Sequence, residues 1–491
     1  MEGKATGEIT TEEELNERLD ELVGALQKTI ESKVPEKKQS PHMKRWWSRE
    51  LTDARRTVKR LGRDSWERQD IGGHPAHERY RKARNDYGQM IKDTKKAFWR
   101  AWLEEIHARS VWDANKFITA PPTDGGRTRI PALKVEEEGG ETREVQDNEG
   151  KAKLFHQAFF YEPPEVTNIP EDTVYPGEKF AWTPITDTEI RRAISKLNPF
   201  KAHGLSGIPN VVLTKTKDVI IPFLGPIYRA TFAIGVYPKK WKVFNTAVLR
   251  KTGKDDYSTP NAYRPIALLD TIAKVLSSCV KNRLTYYAEK TNMLPKMQFG
   301  GRPGRATTDS LHLLMTFIKD AWRKGHEVVA LFLDVKGAFP NTVPRVLAHD
   351  MRRKGVPEIV VQWFENKLER RETVISFDDY KSERIPVNSG LDQGCNTSGM
   401  CYNFYSASQI EGARRGDGEL ATAWADDTIF AASGEDMEEA ARKVVDMMGR
   451  EGGGQEWAER HFSLYEWCNG VTEFGTLLFT LDATPEGVAK Q

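Results

Sequence analysis

The stretch VVALFLDV at residues 328–335 begins with six apolar residues in a row, which are followed directly by an aspartate, Asp334. A continuous apolar run of this length is typical of a strand buried on both faces of a sheet. Further along, LATAWADDTIFAAS at residues 420–433 sets Asp426 and Asp427 between two short runs of small, β-branched and aromatic residues. These flanks predict two strands joined by a tight turn. Each aspartate is therefore predicted to lie at the end of a strand.

Two interpretations of these aspartates stay open on this evidence. A turn tip tolerates aspartate, so Asp426 and Asp427 could simply close a hairpin. Adjacent carboxylates repel each other, however, and a divalent cation relieves that repulsion. If Asp334 lies on a neighbouring strand, the three carboxylates form a ligand set suited to two Mg²⁺ ions roughly 3.5–4 Å apart.

Composition favours a folded protein of several domains with one basic segment. The chain has 491 residues, 38% of them hydrophobic, and a net charge of +2, so we expect two to four domains. Residues 44–110 hold 18 Lys and Arg against 10 Asp and Glu, a local net charge of +8. Aromatic residues lie between these cations, which suits a nucleic-acid partner. Two amphipathic helices with core aromatics and solvated cations are the alternative.

Cysteine and hydropathy patterns exclude several classes of protein. The cysteines (Cys279, Cys395, Cys401 and Cys468) are scattered and form no CxxC pair, so neither a zinc knuckle nor a disulfide framework is predicted. We find no apolar run near 18 residues and no signal-peptide core. The sequence therefore predicts a soluble, intracellular protein without a membrane partner and without a readable targeting signal. The oligomeric state is not predicted.

Periodicity and turn residues predict helices and strands along most of the chain. Predicted helices cover 10–33, 44–117 with a break at 71–75, a segment from about 151, 187–197, 209–233, 270–290, 307–324, 343–353 and 356–370. Predicted strands are 246–250, 328–335 and the pair 372–377 and 382–387. We expect a linker with at most one short strand at 120–150, and a flexible joint at 449–455.

Five blocks of sequence occur in a fixed order. They are YRPIALLDTIAKVLSSCVKNRL (263–284), QFGGRPGRATTDSL (298–311), FLDVKGAFPNT (332–342), SGLDQGCNTSG (389–399) and WADDTIF (424–430). The ordered set closely resembles the reverse transcriptase domain of non-LTR (LINE-type) retrotransposons, over about residues 40–465. Any one block alone would be weak evidence. The resemblance implies an element truncated at both ends.

The resemblance implies an α+β fold with right-hand polymerase fingers and palm, an antiparallel palm sheet, and a thumb that is missing or truncated. The implied organisation is a helical basic arm (1–120), a linker and start of the fingers (121–180), fingers (181–325), a palm with the catalytic carboxylates (326–433) and a tail (434–491). It implies nuclear localisation, and as partners an RNA template, a DNA primer and dNTPs.

The resemblance also implies roles for individual residues. Asp334, Asp426 and Asp427 would be catalytic and would bind two Mg²⁺ ions, which Mn²⁺ could replace, together with the backbone carbonyl of Val335. Phe339 would exclude the ribose 2′-OH by steric clash. The other implied contacts are Lys251, Lys254, Arg264, Gln393 and Gly394 with the dNTP, and Arg302 and Arg305 with template or primer.

Several residues depart from the family pattern. Gly301 replaces an aromatic residue, and Asp392, Asn396 and Thr397 alter the loop expected to face the template base. No lysine corresponding to the family's general acid follows WAERH at 457–461. The leading hypothesis is an RNA-directed DNA polymerase acting by two-metal nucleotidyl transfer. The alternatives are a catalytically inactive nucleic-acid-binding remnant and an unrelated Mg²⁺-dependent phosphotransfer enzyme.

Overall fold

The structure is a computed structural model that describes residues 7–34, 46–104, 129–136, 142–465 and 475–479. Cys468, and residues 105–117 of the predicted basic helical stretch, lie outside the described residues. The chain divides into two compact units, one formed by residues 1–30 with 129–491 and the other by residues 31–128. The first helix, predicted as part of the arm, is therefore grouped mainly with the larger unit.

The described part of the smaller unit contains two helices. Helix α2 (Arg49–Trp66) begins after Ser48, whose side chain caps it by accepting a hydrogen bond from the Leu51 amide. Helix α3 (Pro75–Glu104) follows a break at the predicted position. Among the described residues of this unit, only Leu51 and Ala76 are buried hydrophobics, and Trp66 is 68% exposed. The aromatics of this unit thus do not form a closed core.

The larger unit contains helices distributed along its whole length. Helix α1 (Glu12–Lys33) buries a stripe of four leucines at helical spacing. The helices that follow are α4 (Asn148–Phe159), α5 (Asp187–Ser195), α6 (Asn210–Ala233), α7 (Thr271–Lys290), α8 (Thr307–Arg323), α9 (Ala338–Asn341), α10 (Pro344–Arg353), α11 (Glu358–Leu368), α12 (Ser398–Tyr405), α13 (Met437–Gly449) and α14 (Gly454–Arg460). None of the described helices is long and apolar enough to cross a membrane.

One four-stranded sheet holds the segments rich in aspartate. Its strands are β5 (Glu327–Leu333), β8 (Glu419–Trp424), β9 (Asp427–Gly434) and β10 (Gly475–Phe479). They pair in the order β10-β5-β9-β8, and every pair is antiparallel. The apolar run predicted at 328–335 is the second strand of this order. Its residues Val328, Val329, Ala330 and Leu333 are buried.

A second four-stranded sheet joins segments far apart in sequence. Its strands are β3 (Val243–Arg250), β4 (Tyr263–Leu268), β6 (Arg371–Phe377) and β7 (Tyr380–Val387), in the order β4-β3-β6-β7. The β3–β6 pair is parallel and the others are antiparallel. Strands β1 (Leu133–Glu136) and β2 (Thr142–Val145) form a hairpin where one short strand was expected. The predicted mixture of helix and sheet is confirmed.

Candidate active site

The strand register brings the three predicted carboxylates to one end of one sheet. Leu333 of β5 is paired with Thr428 of β9, so the next residues outward, Asp334 and Asp427, lie on adjacent strands. Trp424 of β8 is paired with Asp427, which leaves Ala425 and Asp426 as a two-residue turn. Like charges that face each other on adjacent strands destabilise a sheet. The position of Asp334 beside Asp427 is therefore not explained by a gain in stability.

Electrostatic effects support the proximity of these groups. Burial raises the pKa of Asp427, and the neighbouring Asp426 raises it further. Burial also raises the pKa of Tyr402 well above its usual value, and both Asp426 and Asp334 contribute to this shift. The buried Tyr402 hydroxyl is therefore within electrostatic range of two carboxylates that are 92 positions apart in the sequence.

The donor chemistry of this sheet end fits a divalent cation, although the side chains are not gathered around one. Within the part of the chain that the structure describes, no three His, Cys, Asp or Glu side chains are arranged to hold a metal ion. Carboxylates are the hard oxygen ligands that Mg²⁺ takes. Val335 is buried and forms an isolated bridge with Tyr465. Beside this bridge the Lys336 amide donates to the Leu464 carbonyl at 2.8 Å.

A loop from the QFGG block packs against the Asp426–Asp427 turn. The Phe299 amide donates to the Ala423 carbonyl at 2.8 Å, and the Ala423 amide donates to the Met297 carbonyl at 3.1 Å. Gly300 lies so close to the turn that a Cβ there would overlap the Ala425 amide nitrogen. Ala425 itself has φ +57°, a left-handed conformation that costs about 1–2 kcal/mol in a non-glycine residue. The loop thus holds the turn in a strained backbone conformation.

Arg302 and Arg305, predicted to contact template or primer, brace this same loop. Arg302 is 6% exposed and donates to both carboxylate oxygens of Glu289, at 2.6 and 2.8 Å. It also donates to the Pro295 and Gln298 carbonyls. Arg305 donates to the Gln298 carbonyl at 3.0 Å and lies over the Phe299 ring. These contacts are internal, and the predicted contact of both arginines with template or primer stays a prediction.

The predicted sugar gate, Phe339, lies in α9, one short turn beyond Asp334. Gly337 adopts φ +57° and lets the chain turn from the strand end into this helix. The Phe339 ring stacks on the Tyr402 ring with centroids 5.4 Å apart and planes at 22°. Its carbonyl accepts a hydrogen bond from the Leu391 amide at 2.8 Å. Phe339 is therefore tied to both α12 and the loop that precedes it.

That loop places Gln393 and Gly394 against strand β4. The Ala267 amide donates to the Gln393 carbonyl at 2.7 Å. Gly394 has φ +122°, and a Cβ there would lie 2.8 Å from the Ala267 carbonyl oxygen. Glycine is thus required by contact with the sheet, before any contact with a base pair is considered. A cavity of about 20 Å³ is lined by residues that include Pro265, Pro340 and Gln393.

The residues that depart from the family pattern in this loop pair with buried cations. Asp392 accepts a hydrogen bond from Arg371 at 2.6 Å, and both side chains are buried. Arg371 also donates to the Ser389 and Gly390 carbonyls. Lys367, 4% exposed, donates to the Thr397 hydroxyl and to Cys395 Sγ, each at 3.0 Å. The altered loop is therefore internally braced.

The thiol of Cys395 is changed by the same contact. Burial raises its pKa most, but the charge of Lys367 and the hydrogen bonds of Lys367 and Thr397 together lower it more, so that the net pKa lies below the usual value. Asn396 donates to the Ser278 hydroxyl at 2.5 Å and so ties the loop to α7. None of these partners follows from the motif, since each comes from a distant segment.

The remaining predicted dNTP contacts lie on or next to the second sheet. Arg264 is exposed on β4, two residues before Ile266. Ile266 Cγ2 would lie 3.6 Å from a Cβ on Gly394, so Arg264 and Gly394 share one side of the sheet. Lys251 and Lys254 lie in the turn that follows β3, where Lys254 is exposed. The described contacts do not connect these lysines to the carboxylates.

Sequence reasoning missed three residues that hold the site together. Tyr402 stacks on the predicted gate, Gln298 is fully buried and donates to the Asn403 carbonyl, and Gly300 supports the aspartate turn. Gln298 and Gly300 lie in the QFGG block, so their position in a motif was the available signal. Tyr402 has no such signal, because its partner is 63 residues away in the sequence.

Comparisons with known proteins find one family match in the central part of the chain. Residues 249–453 match the family "Reverse transcriptase (RNA-dependent DNA polymerase)". The match runs from the end of β3 to just beyond α13 and contains Asp334, Asp426 and Asp427. Residues 249–453 are therefore similar to reverse transcriptase domains.

Curated proteins that are similar to this chain come from mobile elements. The RNA-directed DNA polymerase from mobile element jockey of Drosophila melanogaster is 28% identical over 310 residues, which cover 61% of this chain and 32% of that protein. The probable polymerase from transposon X-element of the same species is 28% identical over 303 residues, again 61% and 32%. The predicted resemblance to non-LTR retrotransposon reverse transcriptases is confirmed. The chain spans about a third of the length of these relatives.

Two further similarities are more distant. A putative 115 kDa protein in the type-1 retrotransposable element R1DM of Drosophila melanogaster is 26% identical over 370 residues, 71% of this chain and 32% of that protein. A solved telomerase structure from Candida tropicalis, with a fragment of telomeric RNA, covers 55% of this chain and 45% of its own. It has 11% identity and a TM-score of 0.36, a score at which the likeness supports no assignment.

Proposed function

We propose that the chain is an RNA-directed DNA polymerase that extends a DNA primer on an RNA template. The observation that carries the proposal is the β5–β9 register, which sets Asp334 beside the Asp426–Asp427 turn. The family match of residues 249–453 supports the same reaction. In the proposed arrangement residues 326–433 form a palm and 181–325 form fingers, although β6 of the first range pairs with β3 of the second, so that β3, β4, β6 and β7 share one sheet.

The reaction transfers a nucleotidyl group. The primer 3′-oxygen forms a bond to the α-phosphorus of a dNTP, the bond from that phosphorus to the bridging oxygen breaks, and pyrophosphate leaves. Asp334, Asp426, Asp427 and the Val335 carbonyl would hold two Mg²⁺ ions, with Mn²⁺ as a substitute. Such ions activate an attacking hydroxyl and stabilise the leaving oxygens.

The protein side chains bind and select the substrate. Phe339 would exclude a ribose 2′-OH by steric clash. Arg264, Lys251 and Lys254 would hold the triphosphate through charged donors. Gln393 and Gly394 would lie under the new base pair, and the Arg302–Arg305 loop would support the turn that carries the carboxylates. Nuclear residence rests on the resemblance to retrotransposon enzymes alone.

Primer extension tests this proposal. The purified chain is incubated with poly(rA), oligo(dT), dTTP and Mg²⁺ or Mn²⁺, beside an Asp426→Asn/Asp427→Asn variant. We expect extension by the wild type and none by the variant, while a gel shift shows primer–template bound by both. A wild type that binds but never extends would overturn the proposal. It would favour an inactive nucleic-acid-binding remnant, which agrees with the absence of a gathered metal-ligand group in the described residues.

A further inference from the structure

Tyr402 is the most unusual side chain next to the candidate site. It is 1% exposed in the middle of α12. Its hydroxyl is buried and has no hydrogen-bond partner among the described residues. A buried, unpaired hydroxyl costs about 1–3 kcal/mol, so a phenylalanine would suit a purely structural position better. The contact of Tyr402 with the candidate site is made by its ring rather than by this hydroxyl.

The helix that carries Tyr402 is rigidly fixed to the aspartate turn. The side chain of Asn403 donates to the Gly300 carbonyl at 2.8 Å. The side-chain amide of Gln298 donates to the Asn403 carbonyl and to the Ser406 hydroxyl, both at 2.9 Å. Gly300 in turn lies against Ala425. The position of the Tyr402 ring is therefore set relative to the carboxylates.

The face of Tyr402 supports Phe339. The two rings are stacked with a centroid distance of 5.4 Å and an interplanar angle of 22°. Phe339 is half-buried, so its other surface is left for contact with a substrate. Rigid packing of this kind limits the rotamers of the supported ring. An aromatic ring that excludes a 2′-OH by clash works only if it cannot move aside.

We propose that Tyr402 is a specificity-determining positioning residue, whose ring fixes Phe339 in the orientation that excludes ribonucleotides. The proposal rests on the proposed polymerase function and names a second residue for its sugar selectivity. Tyr402 acts through Phe339 and does not touch the sugar. The ring and the hydroxyl can be separated by mutation.

The test compares kcat/KM for dTTP with kcat/KM for UTP on the same primer–template. Tyr402→Leu removes the stacked ring, and we expect the dTTP preference to fall about tenfold or more. Tyr402→Met, which keeps more of the volume, serves as a second variant if the leucine variant does not fold. Tyr402→Phe keeps the ring, and we expect it to keep the preference within about twofold. Phe339→Ala is the positive reference and should lose the preference most.

Phe404→Leu is the matched control, because Phe404 is fully buried in the same helix. We expect it to disturb packing without changing the dTTP preference. If both Tyr402→Leu and Tyr402→Met keep wild-type selectivity, or if Phe404→Leu loses as much, the proposal is overturned. If the wild type does not extend at all, the proposed function has failed instead, so the two failures are distinguishable.

Discussion

Gly300 lies directly against Ala425, the residue that leads into the aspartate pair, and a Cβ at Gly300 would overlap the Ala425 amide nitrogen. The two residues come from blocks more than a hundred positions apart in the sequence. Their contact explains why a glycine lies in the QFGG block at this position. It also means that the geometry of the carboxylate turn depends on a residue with no reactive group.

We expect Gly300→Ala to push the loop away from the turn, because backbone atoms cannot yield as a flexible side chain would. Overpacking of this kind costs about 1–3 kcal/mol of unfolding free energy. Urea unfolding measures that loss, and primer extension should fall with it. Gly24→Ala in α1 is the control, since a Cβ there meets nothing within 4 Å. A Gly300→Ala variant as stable and active as Gly24→Ala would contradict the account.

The Arg371–Asp392 pair makes a second prediction about stability. Arg371→Met leaves the Asp392 carboxylate buried without its partner, and we expect a loss of about 3–5 kcal/mol in unfolding free energy. Arg371→Met/Asp392→Leu should recover most of this loss, because no buried charge remains. Both are measured by urea unfolding.

The control for this pair is Arg384→Met. Arg384 is exposed and lies 3.6 Å from Glu372, so its loss should cost about 1 kcal/mol or less. Equal effects of Arg371→Met and Arg384→Met would show that the buried pair does not brace the loop.

The Glu419–Arg450 pair predicts a pH dependence of stability. Arg450 donates to both oxygens of Glu419, at 2.8 and 2.6 Å. Burial raises the pKa of Glu419, but the hydrogen bonds and charges of Arg450 and Arg414 together lower it more, and the net pKa lies below the usual value of 4.5. A carboxyl with a lowered folded pKa stabilises the fold above its unfolded pKa, and this contribution is lost as the pH falls through the folded pKa.

We therefore expect the unfolding free energy to decrease as the pH falls below about 5, with a smaller decrease in Glu419→Gln. Urea unfolding at several pH values between neutral and acid measures both curves. Glu438→Gln on α13 is the control, because its side chain is exposed, and it should keep the wild-type pH profile. Parallel curves for wild type and Glu419→Gln would exclude this pair as a source of the pH dependence.

The exposed arginines of helix α2 lead to a prediction about nucleic-acid binding. Four arginines of α2 lie on one helix face at positions i, i+7, i+11 and i+14: Arg49, Arg56, Arg60 and Arg63. All four are exposed. If they neutralise phosphates, changing them to glutamine lowers the salt dependence of RNA affinity, with the slope of log K against log salt reduced by up to about three. Gel shifts at increasing salt measure the slope.

Deletion of residues 1–117 should have a larger effect in the same direction, although it also removes α1 from the larger unit. An arginine-to-lysine variant at the same four positions is the matched control, since it keeps the charge and should keep the slope. If the slope of log K against log salt is unchanged after substitution by glutamine, the four arginines do not neutralise phosphates and form a solvated surface. Trp66 of α2 is exposed. This argues against the alternative in which the aromatic residues of the basic segment 44–110 form a helical core.

Local sequence patterns predicted the elements that carry the chemistry. The apolar run at 328–335 is a strand, the Asp426–Asp427 pair closes a hairpin, and segments 372–377 and 382–387 pair as expected. Patterns of this kind depend on neighbours in the sequence. The parallel pairing of β3 with β6 was not predictable, because it joins segments about 130 positions apart.

The supports of the candidate site escaped prediction for the same reason. Tyr402 lies in a segment for which the sequence predicted no element, and residues 398–405 form α12. Asp392 and Thr397 are departures from the family pattern that alter the preceding loop. The structure pairs them with Arg371 and Lys367, which no local pattern connects to them. Motifs identified the reactive groups, whereas the structure identified what holds them in place.

The central claim is that Asp334 and the Asp426–Asp427 turn form one cation site, and Mn²⁺ binding followed by electron paramagnetic resonance tests it without requiring catalysis. Wild type, Asp334→Asn and the exposed control Asp320→Asn are titrated with Mn²⁺. We predict that Asp334→Asn weakens Mn²⁺ binding by about tenfold or more, the usual effect of removing a ligand or its support, while Asp320→Asn matches wild type. Equal Mn²⁺ binding by wild type and Asp334→Asn would contradict the claim.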